Sequence, residues 1–216
     1  MTLYSDRQQN SSDSNALVRV QDLSPSTERR ISELKEKYPT MNGFVMAYHP
    51  DKSEKFASYP DRCLFGNAPT LTDLRLAYDG RGDMQWMIIH LSTWQEKMNI
   101  QTKMTSWQLE SCAQSIIEQY SHLKVSEIVL FLTRLQGGAY SVDWFGVISP
   151  DKILSALREQ FMPWRNNQFY QKEKRDEERK REEQIHSKDN INYEQWKREK
   201  MERGEEIIHN VNPLEI

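Results

Sequence analysis

The sequence has few cysteines and no long apolar run, and each shortage excludes a class of protein. Cys63 and Cys112 are the two cysteines among 216 residues, and their wide separation fits neither a disulfide framework nor a zinc-binding motif. No stretch approaches the ~20 apolar residues that cross a bilayer. The first ten residues lack the basic and apolar segments of a secretory signal. We therefore expect a cytoplasmic protein with no membrane partner.

An excess of charge of one sign is also absent. The chain has 29 basic and 32 acidic residues, which give a net charge of −3. This balance does not indicate a polyanionic partner for the chain as a whole. Hydrophobic residues make up 37% of the sequence, which is low for a chain that is globular throughout. We therefore expect the core to occupy only part of the chain.

Catalytic and ligand-binding motifs are missing as well. The phosphate-binding pattern GxxxxGK[ST], the nucleophile pattern GxSxG and the dinucleotide-binding pattern GxGxxG do not occur. The five histidines never lie at ligand spacing from one another or from a cysteine. We therefore predict a protein that is not an enzyme and that carries no cofactor and no metal site.

What the sequence does contain is a run of helical signals between residues 104 and 161. Thr105 and Gln108 form a capping box, and the apolar residues after them recur at spacings of three and four. Ser126 is the predicted cap of a second helix, which is apolar on nearly its whole circumference and should be central to a bundle. Its apolar run would also suit a buried strand, but the glycines at 137 and 138 favour a helix that ends there.

The segment 139–148 is the least determined part of this region. Its aromatic residues and its glycine suit either a small hairpin or an ordered loop folded over the bundle. Ser149 and Pro150 then mark the N-cap and the first residue of a third helix, in which apolar residues recur as far as Phe161.

Further helices are predicted on the N-terminal side of this region. Ser26 is expected to cap a helix that stops before Pro39. Thr70 opens another helix, and Asp83 is expected to cap the one after it. Prolines and glycine in residues 41–67 favour a loop-rich connection between these helices. Four apolar residues of the connection are expected to pack onto the bundle: Phe44, Met46, Phe56 and Leu64.

The chain as a whole is predicted to have three parts. Residues 1–24 are polar and are expected to be a disordered arm. Residues 25–163 are expected to form a compact, mainly α-helical bundle. Residues 164–216 are expected to form a charged helical or flexible tail.

The tail contains a long charged stretch. Residues 171–183 contain six basic and six acidic residues, with opposite charges recurring four apart, and predict a solvated helix. Asn190 is expected to end this helix, and Asn192 to cap a short second helix that ends at Gly204.

The region between Tyr120 and Phe161 resembles a known family. Its sequence YSHLKVSEIVLFLTRLQGGAY, followed by SPDKILSALREQF, is similar to a family of uncharacterised proteins found in Bacteroidetes chromosomes, prophages and mobile elements. The similarity extends back through Ala68–Tyr78 and so covers residues 68–161. That family carries a domain-of-unknown-function label, so the resemblance implies a fold and a genomic setting but no activity. The chain departs from the family pattern at Ser141, where a glycine is expected.

Aromatic residues outside the apolar helix faces are the candidate binding residues. Trp86, Trp94 and Trp107 fall on or near apolar helix faces and are predicted to be core. The other tryptophans lie in loops or polar helices, where an exposed aromatic marks a contact surface. The alternative for the aromatic and basic residues near them is a loop that only caps the bundle. The candidate binding residues are Lys124, Arg134, Tyr140, Trp144, Phe145, Trp164, Arg165 and Trp196.

The absence of a catalytic motif favours a binding function. The first hypothesis is a non-catalytic helical adaptor or accessory protein in replication or mobile-element maintenance, which binds a protein partner and whose polar tail folds upon it. The alternative is a nucleic-acid-binding module. In that hypothesis bases stack on Trp144 or Trp164, while phosphates contact Arg134, Arg165 and Lys124.

Overall fold

The computed structural model describes residues 23–204, apart from the side chains of residues 187–192 and 194, so most of the predicted arm 1–24 lies outside the described residues. Every regular element in this range is a helix, which confirms the mainly α prediction. A π-helical turn, Leu157–Phe161, separates the last two α-helices. The α-helices are α1 Pro25–Lys37, α2 Met41–Ala47, α3 Pro50–Ala57, α4 Pro60–Phe65, α5 Leu71–Ala77, α6 Gly82–Lys97, α7 Ser106–Tyr120, α8 Val125–Gln136, α9 Pro150–Ala156 and α10 Met162–Glu202.

The chain divides into two compact units, one ending at Pro163 and the other beginning at Trp164. Helix α8 is central to the first unit. Its five consecutive apolar residues, Ile128 to Leu132, are all buried, and it packs against α3, α4 and α6. A helix that is apolar on all sides must have neighbours on several sides, and the predicted central position of this helix is confirmed.

The predicted capping box of α7 is present, and α5, which Thr70 opens as expected, has a capping box as well. In α7, the Thr105 hydroxyl accepts from the Gln108 amide, and the Gln108 side chain accepts from the Thr105 amide at 2.9 Å. Thr70 and Asp73 make the same reciprocal pair in α5. Each box satisfies amides that the first turn of a helix leaves without a partner, so both helices begin where the sequence indicates.

Three other predicted caps are wrong, for reasons that differ from one helix to the next. Helix α8 begins one residue before Ser126, since the Glu127 carboxylate accepts from the Lys124 amide at 2.8 Å. Ser24 rather than Ser26 caps α1. Asp83 lies inside α6, where its carboxylate accepts from the Arg75 guanidinium at 2.7 Å.

The predicted loop-rich connection 41–67 is wrong, because this segment forms α2, α3 and α4. Pro50 and Pro60, which suggested chain breaks, each occupy the first position of a helix, where proline needs no hydrogen-bonded amide. Phe44 and Leu64 are fully buried as expected. Met46 and Phe56 are 56% and 54% exposed, so their predicted packing onto the bundle is wrong.

Trp107 is a further exception to the predicted core. Trp86 and Trp94 are buried, but Trp107 is 76% exposed. It precedes Leu109, which begins the buried face of α7, by two positions. Two residues correspond to about 200° of rotation around a helix, so Trp107 lies on the opposite side.

The third predicted helix corresponds to α9 together with the π-helical turn. Pro150 is the first residue of α9, as expected. At the end of the π-helical turn, the Met162 amide donates to the Leu157 carbonyl five residues earlier. This offset occurs next to Pro163, which has no amide hydrogen to continue an α-helical ladder.

In the second unit, helix α10 continues through Asn190 to Glu202, so the predicted break is wrong. Asparagine is less favourable than alanine in a helix by about 0.7 kcal/mol at most, which is too little to end a helix by itself. Within residues 23–204, none of the helices combines the length and apolar character needed to cross a membrane.

Candidate protein interaction site

The candidate residue Lys124 supports the fold of the first unit. Its ammonium group donates to the Leu64 carbonyl at 2.9 Å and to the Gly66 carbonyl at 2.8 Å. These carbonyls lie at the C-terminal end of α4, where a positive charge is favourable. Lys124 is the N-cap of α8 and precedes Arg134 by ten residues, or about 15 Å along the helix axis, so the two cations do not share one surface patch.

Arg134 and Tyr140 contact each other at the opposite end of α8. The Arg134 Nε donates to the Tyr140 hydroxyl at 3.0 Å, and the guanidinium lies 5.6 Å from the Tyr140 ring centroid. The Tyr140 ring stacks on Phe131 at 5.9 Å and is 7% exposed. Burial raises the pKa of Tyr140, and the neighbouring Arg134 opposes that rise. Tyr140 is therefore a core residue, with little ring surface left for a ligand.

Trp144 anchors the segment 139–148 to the bundle. Its ring is half-buried and lies 5.9 Å from the Trp94 ring, measured between centroids. Trp94 is itself held in place, because its indole nitrogen donates to the Leu132 carbonyl at 3.0 Å. The segment contains no strand, so it is the ordered loop of the two predicted alternatives rather than the hairpin.

Phe145 follows this anchor and points into solvent. It is 86% exposed, the most of any large hydrophobic side chain among the described residues. The Val147 amide donates to the Trp144 carbonyl at 2.9 Å and closes a four-residue turn, Trp144–Val147, which we call the Phe145 turn. Its central residues, Phe145 and Gly146, have φ angles of +48° and +77°, the signs of a type I′ turn.

The left-handed backbone of Phe145 is unfavourable. A side chain with a Cβ costs about 1–2 kcal/mol in this conformation, which glycine and asparagine tolerate much better. Burial of the ring does not offset that cost, because the ring is exposed. A strained residue that gains no packing is a candidate for a functional role.

Three contacts hold the loop around the Phe145 turn. The Gln160 side chain accepts from the Ser141 amide at 2.9 Å and donates to the Ser141 carbonyl at 3.2 Å. The Lys152 ammonium donates to the Asp143 carbonyl and lies 4.8 Å from the Phe145 ring centroid. The turn is thus supported from two other elements, the π-helical turn and α9.

The third contact is a short β-type pairing with the segment before α7. The Thr102 amide donates to the Gly146 carbonyl at 3.0 Å, and the Ile148 amide donates to the Thr102 carbonyl at 2.9 Å. Ile148 is fully buried directly after the turn. The backbone on both sides of Phe145 is therefore anchored, and the exposed ring extends from a preorganised support.

The strongest pKa shifts among the described residues belong to buried or half-buried groups. Burial raises the pKa of the Cys63 thiol to about 11 and that of the Cys112 thiol to about 12. Burial also raises the pKa of Tyr48 to about 12 and lowers that of His90 to about 4. Desolvation is the main cause in each case, so these groups do not form the converging charged cluster that is typical of a catalytic site. Among the side chains that the structure describes, no three of His, Cys, Asp or Glu are placed to hold a metal ion.

The remaining candidate residues belong to the second unit. Trp164 is half-buried, and the Arg165 guanidinium lies 4.6 Å from the Phe169 ring centroid. Trp196 stacks on Tyr193 at 5.6 Å, and the Lys200 ammonium lies 5.0 Å from its ring. Arg165 and Trp196 are separated by about 46 Å along α10, so the structure does not bring them together.

Trp144 and Phe145 are predictable from the sequence as binding residues, but the residues that support them are not. Thr102, Lys152 and Gln160 carry no motif, since a lysine or glutamine that binds a backbone carbonyl or amide has no fixed spacing. The one available signal was Gly146, because a glycine after an aromatic residue in a short loop is compatible with a turn of positive φ.

Comparisons with known proteins do not extend this description. The chain matches no protein-family model, no curated protein and no solved structure. The resemblance described for residues 68–161 therefore stays a prediction.

Proposed function

We propose that this protein is a non-catalytic adaptor that binds another protein through the Phe145 turn. The observation that carries the proposal is the combination of an 86% exposed phenylalanine with a left-handed backbone at the same residue. Asparagine or glycine would suit the turn better, so the turn itself does not explain why phenylalanine is present. A role of the ring in contact with a partner does explain it.

An aromatic side chain on a rigid turn is well suited to this task. Full burial of a phenylalanine ring contributes about 1.5–3 kcal/mol, and a few such anchors dominate the affinity of many interfaces. The contacts of Ser141, Asp143, Gly146 and Ile148 order the loop before binding. Less conformational entropy is then lost on association, which increases the affinity obtained from a small contact.

The sequence resemblance supports a setting for this adaptor. Residues 68–161 resemble proteins of Bacteroidetes chromosomes, prophages and mobile elements, and an accessory role in replication or mobile-element maintenance fits that distribution. The Phe145 turn lies within the region of resemblance. We therefore place the interaction with the partner in the part of the chain on which the resemblance rests.

Affinity capture with matched variants tests the proposal. Tagged wild-type protein, Phe145→Ala and Phe56→Ala are expressed in the native cells, and the retained proteins are quantified by mass spectrometry. Phe56 is the control because it is also a phenylalanine and is 54% exposed, but lies on α3. We expect Phe145→Ala to lower recovery of the partner about 10-fold to 100-fold, which corresponds to loss of one buried ring.

Two outcomes would contradict this function. Unchanged recovery with Phe145→Ala would remove the Phe145 turn from the interface. Recovery that survives Phe145→Ala but disappears after nuclease treatment, and that weakens steeply with added salt, would favour the nucleic-acid hypothesis instead.

A further inference from the structure

The charged part of α10 has a composition that favours a helix without tertiary support. Residues 171–184 consist only of Gln, Lys, Glu, Arg and Asp. All of these except Asp are among the strongest helix formers, and the stretch contains no glycine, proline or β-branched residue. It also lies inside a helix of 41 residues, well beyond the roughly 12–15 residues below which isolated helices are marginal.

Ion pairs along the helix surface add to this preference. Asp176 contacts Lys172 at 2.5 Å and Arg179 at 3.1 Å, and Arg179 also contacts Glu183 at 3.7 Å. Lys174 and Glu178 approach to 4.0 Å. These residues are three or four positions apart, the spacing at which opposite charges stabilise a helix. Asp176 and Arg179 thus link three of these four pairs into one row along the helix.

The same stretch buries no apolar face. Among residues 171–186, only Lys172 and Asp176 are partly buried, and these two contact each other. The others are exposed. A helix whose side chains are almost all in water does not depend on packing for its shape. Its stability must come from local terms, the propensity and the ion pairs described above.

We propose that the charged stretch, residues 171–184, is self-supporting and makes the helix from residue 165 to residue 200 a rigid spacer between two aromatic–cation pairs. Arg165 and Phe169 form the first pair, and Trp196 and Lys200 form the second. Phe169 and Trp196 are about 40 Å apart along the helix axis. The spacer holds these two pairs of the second unit at a fixed separation. The inference does not depend on the Phe145 turn.

Distance measurement between two spin labels in the full chain tests the spacer. Gln171→Cys and Gln195→Cys place labels at exposed sites about 36 Å apart along a continuous helix. Cys63 and Cys112 are buried and their pKa values are raised, so they should react poorly, and labelled wild-type protein serves as the background control. We expect a narrow distance distribution centred near that separation at low ionic strength.

Variants of Arg179 test whether the ion pairs support the helix. Arg179→Glu replaces two attractive contacts by two repulsive ones, whereas Arg179→Lys keeps the charge. We expect the distribution to broaden with Arg179→Glu and not with Arg179→Lys. We also expect it to broaden in about 1 M salt, where the screening length is only about 3 Å.

Three results would overturn the inference. A broad distribution of shorter distances in the wild-type background would exclude a rigid helix. A narrow distribution that appears only at high protein concentration would mean that association of chains, rather than the helix itself, provides the order. A width that neither Arg179→Glu nor salt changes would mean that the ion pairs do not support the spacer.

Discussion

Helix α8 of the first unit and the charged part of α10 in the second unit are both regular helices, but their surfaces differ. Helix α8 is apolar on nearly every side, whereas residues 171–184 of α10 contain no apolar residue. In α8, burial against α3, α4 and α6 supplies the stability. In α10, the stability comes instead from high helix propensity and from ion pairs worth about 0.3–0.5 kcal/mol each.

This difference makes the two units sensitive to different changes. Burial of apolar surface depends on shape, so a cavity or an added methyl group in the first unit has a large effect. Ion pairs on an exposed helix depend on charge and screening, so salt and charge reversal affect the second unit more. A substitution in the core of one unit should therefore leave the local order of the other unchanged.

The largest expected effect is that of Phe131→Ala. Phe131 is fully buried and packs against Tyr140 and Phe161 with centroid distances of 5.9 and 5.5 Å. Removing the ring should lower the free energy of unfolding of the first unit by about 3–5 kcal/mol, because transfer and cavity terms add. Urea denaturation followed by tryptophan fluorescence measures the change.

Phe56→Ala is the control for that substitution. Phe56 is 54% exposed, so its removal should change the free energy of unfolding by less than about 0.5 kcal/mol. The distance between labels at 171 and 195 should be the same in both variants. A loss of helix order in the second unit upon Phe131→Ala would break the distinction between the two units.

His90 makes the stability of the first unit depend on pH. It is 4% exposed, its Nε2 lies 2.8 Å from the Tyr48 carbonyl oxygen, and its ring centroid is 3.9 Å from that of Trp86. Burial lowers its pKa to about 4 despite the bond to Tyr48, and the nearby His49 and Lys97 lower it further. In the unfolded chain His90 should keep the ordinary pKa of about 6.5. Between about pH 4 and 6.5 the unfolded chain therefore binds a proton at His90 that the folded chain does not.

The sign of the effect follows from this difference. The contribution of His90 to stability should be constant above about pH 7 and should be lost as the pH is lowered from about 6.5 to 4, by roughly 3 kcal/mol in total. His90→Gln cannot titrate, so its free energy of unfolding should depend less on pH in this window. Equal pH dependence in urea denaturation of the two proteins would show that His90 is not the group responsible.

Gly82→Ala is expected to destabilise the first unit by about 1–3 kcal/mol, through overpacking. A Cβ at Gly82 would lie 2.5 Å from the Leu74 carbonyl oxygen and 2.9 Å from the Tyr78 Cβ. That contact outweighs the gain of about 1 kcal/mol that alanine brings to a helix. Gly137→Ala is the control, because its nearest contact would be an ordinary 3.4 Å to the Thr133 carbonyl oxygen. Thermal unfolding of both variants measures the difference, and equal melting temperatures would contradict this packing.

The sequence predicted the helices whose signals are local and redundant. Thr105 with Gln108, and Thr70 with Asp73, mark their helix starts because both partners of each hydrogen bond lie within one turn. Ser126 misled because its hydroxyl donates to the Cys63 carbonyl at 2.8 Å, a partner 63 residues away that the local pattern does not indicate. A long-range contact of this kind takes up a hydroxyl that could otherwise cap a helix.

The candidate site was predictable only in part, for a related reason. Trp144 and Phe145 can be predicted as contact residues because they are aromatic residues in a loop. The backbone conformation of Phe145 cannot, because phenylalanine has no preference for a positive φ and contacts with other segments fix the turn. The supports come from Thr102, Lys152 and Gln160, which approach the loop only in the folded chain. Lys124 shows the reverse, since a basic residue predicted to bind a ligand binds two backbone carbonyls of its own chain.

The smallest expected change in stability is that of Phe145→Asn, and it has the opposite sign to the others. Asparagine tolerates the left-handed conformation, so the substitution should stabilise the first unit by about 0.5–1 kcal/mol. The substitution also removes the exposed contact between Lys152 and the ring. That loss, about 0.5 kcal/mol, offsets part of the gain in stability. Phe145→Ala loses the same contact but keeps the backbone cost, so it should not be stabilising. Urea denaturation of both variants, combined with partner recovery, separates strain from function. A variant that is more stable than the wild type and still fails to recover the partner shows that the exposed ring is retained for binding, whereas a less stable Phe145→Asn would show that the turn needs the ring for its own structure.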